Sequence, residues 1–190
     1  MNKHITNIAK IALIIIVSIF SIEVKAQELI YKDSKVEYEY ILNDTTINKE
    51  EFYKYSKRWT ANSFKDSRYV LRNDDEKNGE IIGVALTTFR GEKAKNWMIP
   101  SIMVEFTFMI SVKDGKGRLR FYDINQLSTD SFSEDGYKRT PIELVDSKNR
   151  KKTGKSLNNW KEMISVLNSG FKDILHDYKT SILQSHSDDF

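Results

Sequence analysis

The chain lacks cysteine altogether and is poor in proline and glycine, with 2 and 8 of them in 190 residues. Without cysteine it cannot be a disulfide-stapled domain, and any zinc site would have to be built from histidine and carboxylates. The scarcity of proline and glycine excludes a collagen-like chain, and 12% aromatic residues are too many for a wholly disordered one. The length suits one globular domain with its own core.

An excess of charge of one sign is also missing. The 30 Lys and Arg nearly balance the 27 Asp and Glu, which leaves a formal net charge of +3. A dedicated nucleic-acid binder presents a strongly basic face, so we expect no nucleic-acid partner. The basic run at residues 148–155 is interpreted as a solvated loop, with attraction of an anionic glycan or headgroup as the alternative.

The first 26 residues have the features of a secretory signal. Lys3 and Lys10 precede an apolar run over residues 11–22, and Val24 and Ala26 occupy the positions that a signal peptidase reads. We therefore expect cleavage after Ala26, a secreted or periplasmic location, and no transmembrane segment in the mature chain. Retention of the apolar run as an anchor is the alternative, although the run is shorter than the ~18–20 residues that span a bilayer.

Two segments that follow have clear secondary-structure signals. Residues 36–42 alternate between apolar and charged positions, which predicts a first strand. Asn48 and Glu51 have the spacing of a capping box, so we expect a helix from about Lys49. The apolar side chains of this helix, Phe52, Tyr55, Trp59 and Phe64, fall roughly on one stripe.

Two glycine turns predict two β-hairpins. Asn78-Gly79 is expected to form a two-residue turn in which Lys77 pairs with Glu80, so that Leu71 lies opposite Leu86. Asp114-Gly115 is expected to pair Lys113 with Lys116. In the first hairpin, the expected register puts Val84 and Leu86 on the core face and Val70, Ala85 and Thr87 on the other. In the second, it sets Ile110 opposite Leu119, Phe108 opposite Phe121, Met109 opposite Arg120 and Thr107 opposite Tyr122. Six alternating apolar residues form the core face of the strand before the second turn: Ile102, Val104, Phe106, Phe108, Ile110 and Val112.

The last third of the chain divides into a polar part and an apolar part. Residues 127–157 are interpreted as a variable polar connection, with a short edge strand at residues 141–145. A second cap at Asn159 is expected to open an amphipathic helix over residues 158–185, which must pack on an apolar surface. The predicted class is therefore α+β: a curved antiparallel sheet with its helices on one face, in β-α-β-β-β-β-(loop)-α order. Residues 27–126 are expected to form the α+β domain, and the loop and the last helix follow it.

Three segments of this chain resemble a known family. They are residues 51–59 (EFYKYSKRW), 75–83 (DEKNGEIIG) and 106–121 (FTFMISVKDGKGRLRF). Together they resemble the domain of unknown function 4468, a family of secreted proteins of Bacteroidetes-type bacteria with a fold like that of the TATA-binding protein. The resemblance implies an exported protein with a twisted sheet and no assigned activity.

No motif predicts an enzyme, a cofactor or a metal. Residues 149–156 end like a phosphate-binding loop, but Asn149 stands where the first glycine is needed. A calcium loop beginning at Asp74 would have Ala85 where a bidentate glutamate is required. After export, His176 and His186 would be the remaining histidines, which leaves little for a metal site or a catalytic triad. We expect no catalytic residues.

Two binding hypotheses remain. The first is a non-catalytic interaction module whose partner, a protein or an envelope component, docks on the sheet face away from the helices. The candidate residues of that face are Thr87, Phe89, Thr107, Met109, Arg120 and Tyr122. The second is a carrier of a small apolar ligand, held in a pocket between the sheet and the C-terminal helix. The candidate lining of that pocket is Phe106, Phe108, Trp160, Leu167 and Phe171.

Overall fold

The computed structural model describes residues 29–64, 70–91, 100–131 and 133–188. The predicted signal peptide, residues 1–26, lies outside this part of the chain. The elements in chain order are β1 (Tyr31–Lys32), β2 (Lys35–Val36), β3 (Tyr38–Asn43), α1 (Lys49–Ser63), β4 (Val70–Asp75), β5 (Glu80–Arg90), β6 (Ser101–Lys113), β7 (Lys116–Thr129), β8 (Tyr137–Pro141), α2 (Ile142–Arg150) and α3 (Gly154–Asp188).

One antiparallel sheet organises the fold. Its strands lie in the order β3-β7-β6-β5-β4, and β8 also pairs with β7. Strands β3 and β8 pair with the same edge of the long strand β7. Strand β3 pairs with its first half and β8 with its second half. The strands β1 and β2 form a separate small hairpin.

Helices α1 and α3 cover one face of this sheet. The six alternating apolar residues of β6 all face them and are at most 6% exposed. Phe171 of α3 lies against Phe106 and Phe121 of the sheet, with ring centroids 5.0 and 5.2 Å away. Phe64, at the end of α1, stacks on Phe108 at 4.9 Å. The predicted α+β class, with its antiparallel sheet and its helices on one face, is confirmed.

The start of α1 is set by the predicted capping box. The Asn48 side chain accepts a hydrogen bond from the Glu51 backbone N–H at 2.9 Å, and the Glu51 carboxylate accepts one from the Asn48 N–H at 3.0 Å. These two bonds satisfy backbone donors that have no partner within the helix. Ile47 and Phe52 on either side are fully buried.

The two hairpins differ in how well the sequence predicted them. The second has the predicted register, with Phe108 opposite Phe121 and Met109 opposite Arg120. The first register was wrong, because Asp75 rather than Lys77 pairs with Glu80. The carboxylate of Asp75 accepts hydrogen bonds from the backbone N–H and the side-chain amide of Asn78, which makes the connection a four-residue turn.

The two faces of β5 are the reverse of those predicted. Ile81 and Ala85 pair with Ile110 and Phe106 of β6 and point into the core, whereas Val84 and Leu86 are half-buried on the face away from the helices. The two-residue shift at the turn does not exchange the faces, because side chains alternate with a period of two. The exchange comes from a bulge of one residue between Leu71, which lies opposite Gly83, and Asn73.

The segment from residue 127 to 157 is not the polar connection that was expected. Strand β7 continues to Thr129, β8 occupies Tyr137–Pro141, and the predicted edge strand at 141–145 is mostly the helix α2. Helix α3 begins at Gly154, so Asn159 lies inside it and does not cap it. The composition of this segment is polar because most of it is exposed: α2 buries only Ile142 and Asp146, and residues 150–156 are exposed.

Candidate functional site

The predicted interaction face is divided between the two sides of the sheet. Thr107, Met109, Arg120 and Tyr122 share the side away from the helices, and each is half-buried. Thr87 pairs with Val104, and Phe89 packs 5.0 Å from Phe171, so both belong to the helix side. The prediction is wrong for these two residues because the bulge between Leu71 and Asn73 interchanges the two faces of β5.

We call the side away from the helices the open face. Its apolar part lies on β5 and β6, where half-buried side chains occupy neighbouring positions of the two strands. These residues are Ile82, Val84, Leu86, Met103 and Met109. The sequence analysis placed Val84 and Leu86 in the core. The spacing of Asp75 and Asn78 is typical of a side-chain-capped turn and signals the longer turn, but not the bulge between Leu71 and Asn73 that exchanges the faces.

The charged part of the open face lies on β3 and β7. Arg120 Nη2 donates to Glu37 Oε1 at 2.8 Å, and the guanidinium lies 5.1 Å from the centre of the Tyr122 ring. Burial raises the pKa of the Tyr122 hydroxyl further above neutral pH. This side chain is therefore a neutral hydrogen-bond donor at pH 7. Arg120 is thus held in one place by a carboxylate and an aromatic ring.

Arg120 and Glu37 also have unused hydrogen-bonding capacity. Glu37 Oε2 and Arg120 Nε are buried atoms with no hydrogen-bond partner among the described residues. Their side chains are 15% and 26% exposed, so the pair lies at the surface of the sheet and is partly shielded from water. Because both atoms are buried, they are not accessible to a molecule that docks on the open face.

The five residues predicted to line a pocket are brought together, but as packed core. Phe106, Phe108, Leu167 and Phe171 are fully buried, and Trp160 is 6% exposed. Phe171 lies 4.4 Å from the Tyr38 ring, in a stacked arrangement. Aromatic rings at these distances fill the space between α3 and the sheet, and none of the five lines a described hollow.

A buried carboxylate was missed by the sequence analysis. Asp146 of α2 accepts hydrogen bonds from the Tyr31 hydroxyl at 2.8 Å, Arg150 Nε at 2.7 Å and Trp160 Nε1 at 2.8 Å. Burial alone would raise the pKa of this carboxyl, but the three donors outweigh it and hold the pKa below its usual value. The group joins β1, α2 and α3, and its oxygens are fully occupied by structural partners.

No metal-binding cluster accompanies these features in the part of the chain that is described. No three His, Asp or Glu residues come close enough there to hold a metal ion. His176 is exposed on α3, and His186 Nε2 lies 3.2 Å from the Thr46 hydroxyl. Among the described helices none is both long enough and apolar enough to cross a bilayer.

Two solved structures share this fold. The crystal structure of a TBP-like protein from Parabacteroides distasonis is 15% identical, with a TM-score of 0.63, and the match covers 84% of this chain and 98% of that one. The crystal structure of a DUF4468 family protein from Bacteroides ovatus is 18% identical, with a TM-score of 0.58, and the match covers 84% of this chain and 91% of that one. No protein with a curated description matches the chain.

The family model described as "Domain of unknown function (DUF4468) with TBP-like fold" matches residues 38–126. The matched segment runs from β3 through most of β7, and it contains both hairpins and the capped helix that carried the resemblance. Residues 38–126 of this chain are therefore a domain of the DUF4468 family, with the TBP-like fold.

Proposed function

We propose that this protein is an exported, non-catalytic binding module of the periplasm or cell envelope, and that it binds a protein or envelope component through the open face. The observation that carries the proposal is the half-exposed apolar surface of β5 and β6, on the side of the sheet opposite the helices. Contiguous apolar surface on a folded domain marks an interaction site more often than a solvated wall.

The composition of the open face supports a protein partner. Met, Tyr and Arg are enriched at protein interfaces, and all three occur here within two adjacent strand pairs, at Met109, Tyr122 and Arg120. Arg120 is already ordered by Glu37 and by the Tyr122 ring, so binding would cost little additional side-chain entropy. A preorganised guanidinium beside an apolar patch is typical of an energetic hot spot.

The absence of catalysis is part of the proposal. The strongest cluster of polar side chains in the described structure surrounds Asp146, whose oxygens are already bonded to Tyr31, Arg150 and Trp160. A general acid or base needs a pKa near the operating pH and access to substrate. Asp146 is 1% exposed, and its pKa is displaced away from neutrality.

Export is supported by the sequence of the first 26 residues. If the apolar run is a cleaved signal, the protein isolated from the cells that produce it begins at Gln27, and its intact mass lacks residues 1–26. A mass that includes residues 11–22 in a membrane fraction would contradict cleavage and support an anchor.

Site-specific photo-crosslinking tests the open face directly. A photoreactive amino acid replaces Met109 in one variant and Lys172, an exposed residue of α3, in a matched control. We expect the Met109 variant to form a discrete covalent adduct in the producing cells and the Lys172 variant to form none. The proposal is contradicted if neither position yields an adduct, or if both yield the same one with equal efficiency.

A further inference from the structure

The end of α2 and the start of α3 concentrate the positive charge of the chain. Residues 147–161 contain six Lys and Arg and no Asp or Glu. The whole chain has 30 Lys and Arg and 27 Asp and Glu, so the other residues hold 24 basic against 27 acidic ones. The nearly neutral net charge therefore conceals one strongly basic segment, which attracts a partner of the opposite sign.

This basic segment is part of two helices and is not the loop that was expected. Helix α2 ends at Arg150, and α3 begins at Gly154. In the short connection between them, the Lys152 N–H donates to the Asn149 carbonyl at 3.0 Å. Every residue from 150 to 156 is exposed. The lysine side chains thus extend from an ordered backbone, which lowers the entropy cost of binding them together.

The inner face of α2 fixes the segment on the rest of the molecule. Ile142 is fully buried. Asp146 accepts hydrogen bonds from the Tyr31 hydroxyl and from Trp160 Nε1, both at 2.8 Å. These contacts hold α2 against β1 and α3, so the opposite face of the helix is directed to solvent.

The outer face of α2 combines one apolar side chain with lysines. Leu144, Lys148 and Lys151 follow one another at intervals of four and three residues, which places them on one stripe of the helix. Leu144 is 63% exposed, the largest value among the exposed large apolar residues of the described structure. Lys152 and Lys155 continue the positive charge towards α3. We call these five residues the basic surface.

The four lysines of the basic surface are not neutralised by the described part of the chain. Within residues 147–161 the described ion pair is that of Arg150 Nε with Asp146 Oδ2, at 2.7 Å. The four lysines form no ion pair with a described carboxylate. Their ammonium groups are therefore available to an external anion.

We propose that the basic surface is a membrane-contact site, which binds the phosphate headgroups of an anionic lipid layer through its lysines and inserts Leu144 into that layer. Anionic headgroups complement the four ammonium groups, and the boundary between headgroups and acyl chains accommodates an exposed leucine. A soluble polyanion would use the lysines but would gain nothing from the leucine. The site is separate from the open face, and it goes beyond the proposed function by attaching the protein to a lipid surface.

Vesicle binding of the full chain tests this site. The probes are vesicles of phosphatidylcholine alone and vesicles in which about one-third of the lipid is phosphatidylglycerol. We expect stronger binding to the anionic vesicles, measured by co-sedimentation. Added salt should weaken that binding, because the lysines are exposed and their charges are screened.

Two double variants locate the contact. Lys148→Gln with Lys151→Gln should weaken binding to the anionic vesicles about 10- to 30-fold, because each lysine near an anionic surface contributes about fivefold. The matched control, Lys172→Gln with Lys179→Gln, removes the same charge from exposed positions of α3. These positions lie about 25 Å or more along α3 from Lys155, so the control should weaken binding less than about twofold.

An environment-sensitive dye tests the insertion of Leu144. Because the chain has no cysteine of its own, the dye can be attached to a single Leu144→Cys variant. The control is Glu134→Cys, in the exposed turn before β8. Anionic vesicles should shift the emission of the dye at position 144 to the blue and leave the dye at position 134 unchanged.

The proposal is overturned if neutral and anionic vesicles bind equally, if the two double variants lose the same affinity, or if the dye at position 144 does not respond. Binding to a short DNA duplex that is tighter than binding to the vesicles, and that depends on Lys148 and Lys151, would assign the surface to a soluble polyanion and overturn it as well. None of these outcomes bears on crosslinking at Met109, so the two proposals fail independently.

Discussion

The two faces of β6 are built by alternate residues of one strand, yet they have opposite environments. Phe106, Phe108 and Ile110 are fully buried beneath α1 and α3, while Thr107 and Met109 between them remain half-exposed. Residues 107–110, which include members of both sets, pair with β7 in the same register. The difference comes from the helices alone, since nothing in the described structure covers the second set.

Because of this difference, we expect the helix side of the sheet to stabilise the fold and the open face to bind a partner. The helix side gathers the large aromatic side chains, and Phe171 alone contacts rings of Tyr38, Phe89, Phe106 and Phe121. The open face combines aliphatic side chains with surface ion pairs such as Arg120–Glu37. Substitutions on the first side should therefore change the free energy of unfolding, and those on the second should mainly change binding.

The largest expected effect comes from truncating a core residue of β6. Phe108→Ala should lower the free energy of unfolding by about 3–5 kcal/mol, because it removes a buried ring and leaves a cavity. Its neighbour Met109→Ala should cost no more than about 1 kcal/mol, because the side chain is half-exposed. Urea denaturation of both variants measures the difference. Equal losses would break the distinction between the two faces.

The second largest effect on the free energy of unfolding is expected at the buried carboxylate of Asp146. Asp146→Asn should lower the free energy of unfolding by about 1.5–3 kcal/mol at pH 7, because hydrogen bonds to a charged acceptor are lost. The folded-state pKa of Asp146 lies below the ordinary 3.8, so its contribution is fully present above that pH. The gap between wild type and variant should narrow as the pH falls below 3.8. A gap that stays constant down to pH 2 would contradict this assignment.

Gly170 tests how closely α3 approaches the sheet. A β-carbon at this position would lie 2.1 Å from the Phe89 ring, far inside van der Waals contact. Gly170→Ala should therefore destabilise the protein by about 1–3 kcal/mol. This is the opposite of the helix propensity, which favours alanine over glycine by about 0.8–1 kcal/mol. The exposed neighbour substitution Ser169→Ala is the control, and Phe89→Leu should partly rescue Gly170→Ala in thermal melts. A more stable Gly170→Ala variant would show that Phe89 does not face the helix.

The smallest effect is expected on the open face. A double-mutant cycle with Arg120→Gln and Glu37→Gln should give a coupling energy of about 0.5–1 kcal/mol, as for other partly exposed ion pairs. Added salt should reduce it. A coupling energy larger than the loss of unfolding free energy in Asp146→Asn would mean that the open face, and not only the helix side, stabilises the fold.

Regular local patterns made much of the sheet predictable. The alternation of residues 102–112 and the Asp114-Gly115 turn were sufficient for the register between β6 and β7 from Thr107 to Lys113, but not for the irregularity between Glu105 and Thr107. The Asn78-Gly79 turn was not, because the Asp75 carboxylate competes for the turn and lengthens it. The one-residue bulge after Leu71 was not predictable either, and it reversed the assignment of Thr87 and Phe89 and concealed the apolar surface formed by Ile82, Val84 and Leu86.

Long-range hydrogen bonds explain why the C-terminal part was less predictable. Helix α2 buries Ile142 and Asp146, and Asp146 is satisfied by a tyrosine 115 residues away in the chain as well as by nearby donors. Its composition is therefore as polar as that of a loop.

Cysteine labelling tests the central claim most directly, because the natural chain has no thiol of its own. Single cysteines are introduced at Thr107 on the open face and at Lys172 on the outside of α3, and both are treated with a small maleimide. In the purified protein both should react. In the producing cells the cysteine at position 172 should still react, whereas the one at 107 should be protected by the bound partner. Labelling of position 107 in cells at the same rate as in the purified protein would contradict the claim that the open face is a binding surface.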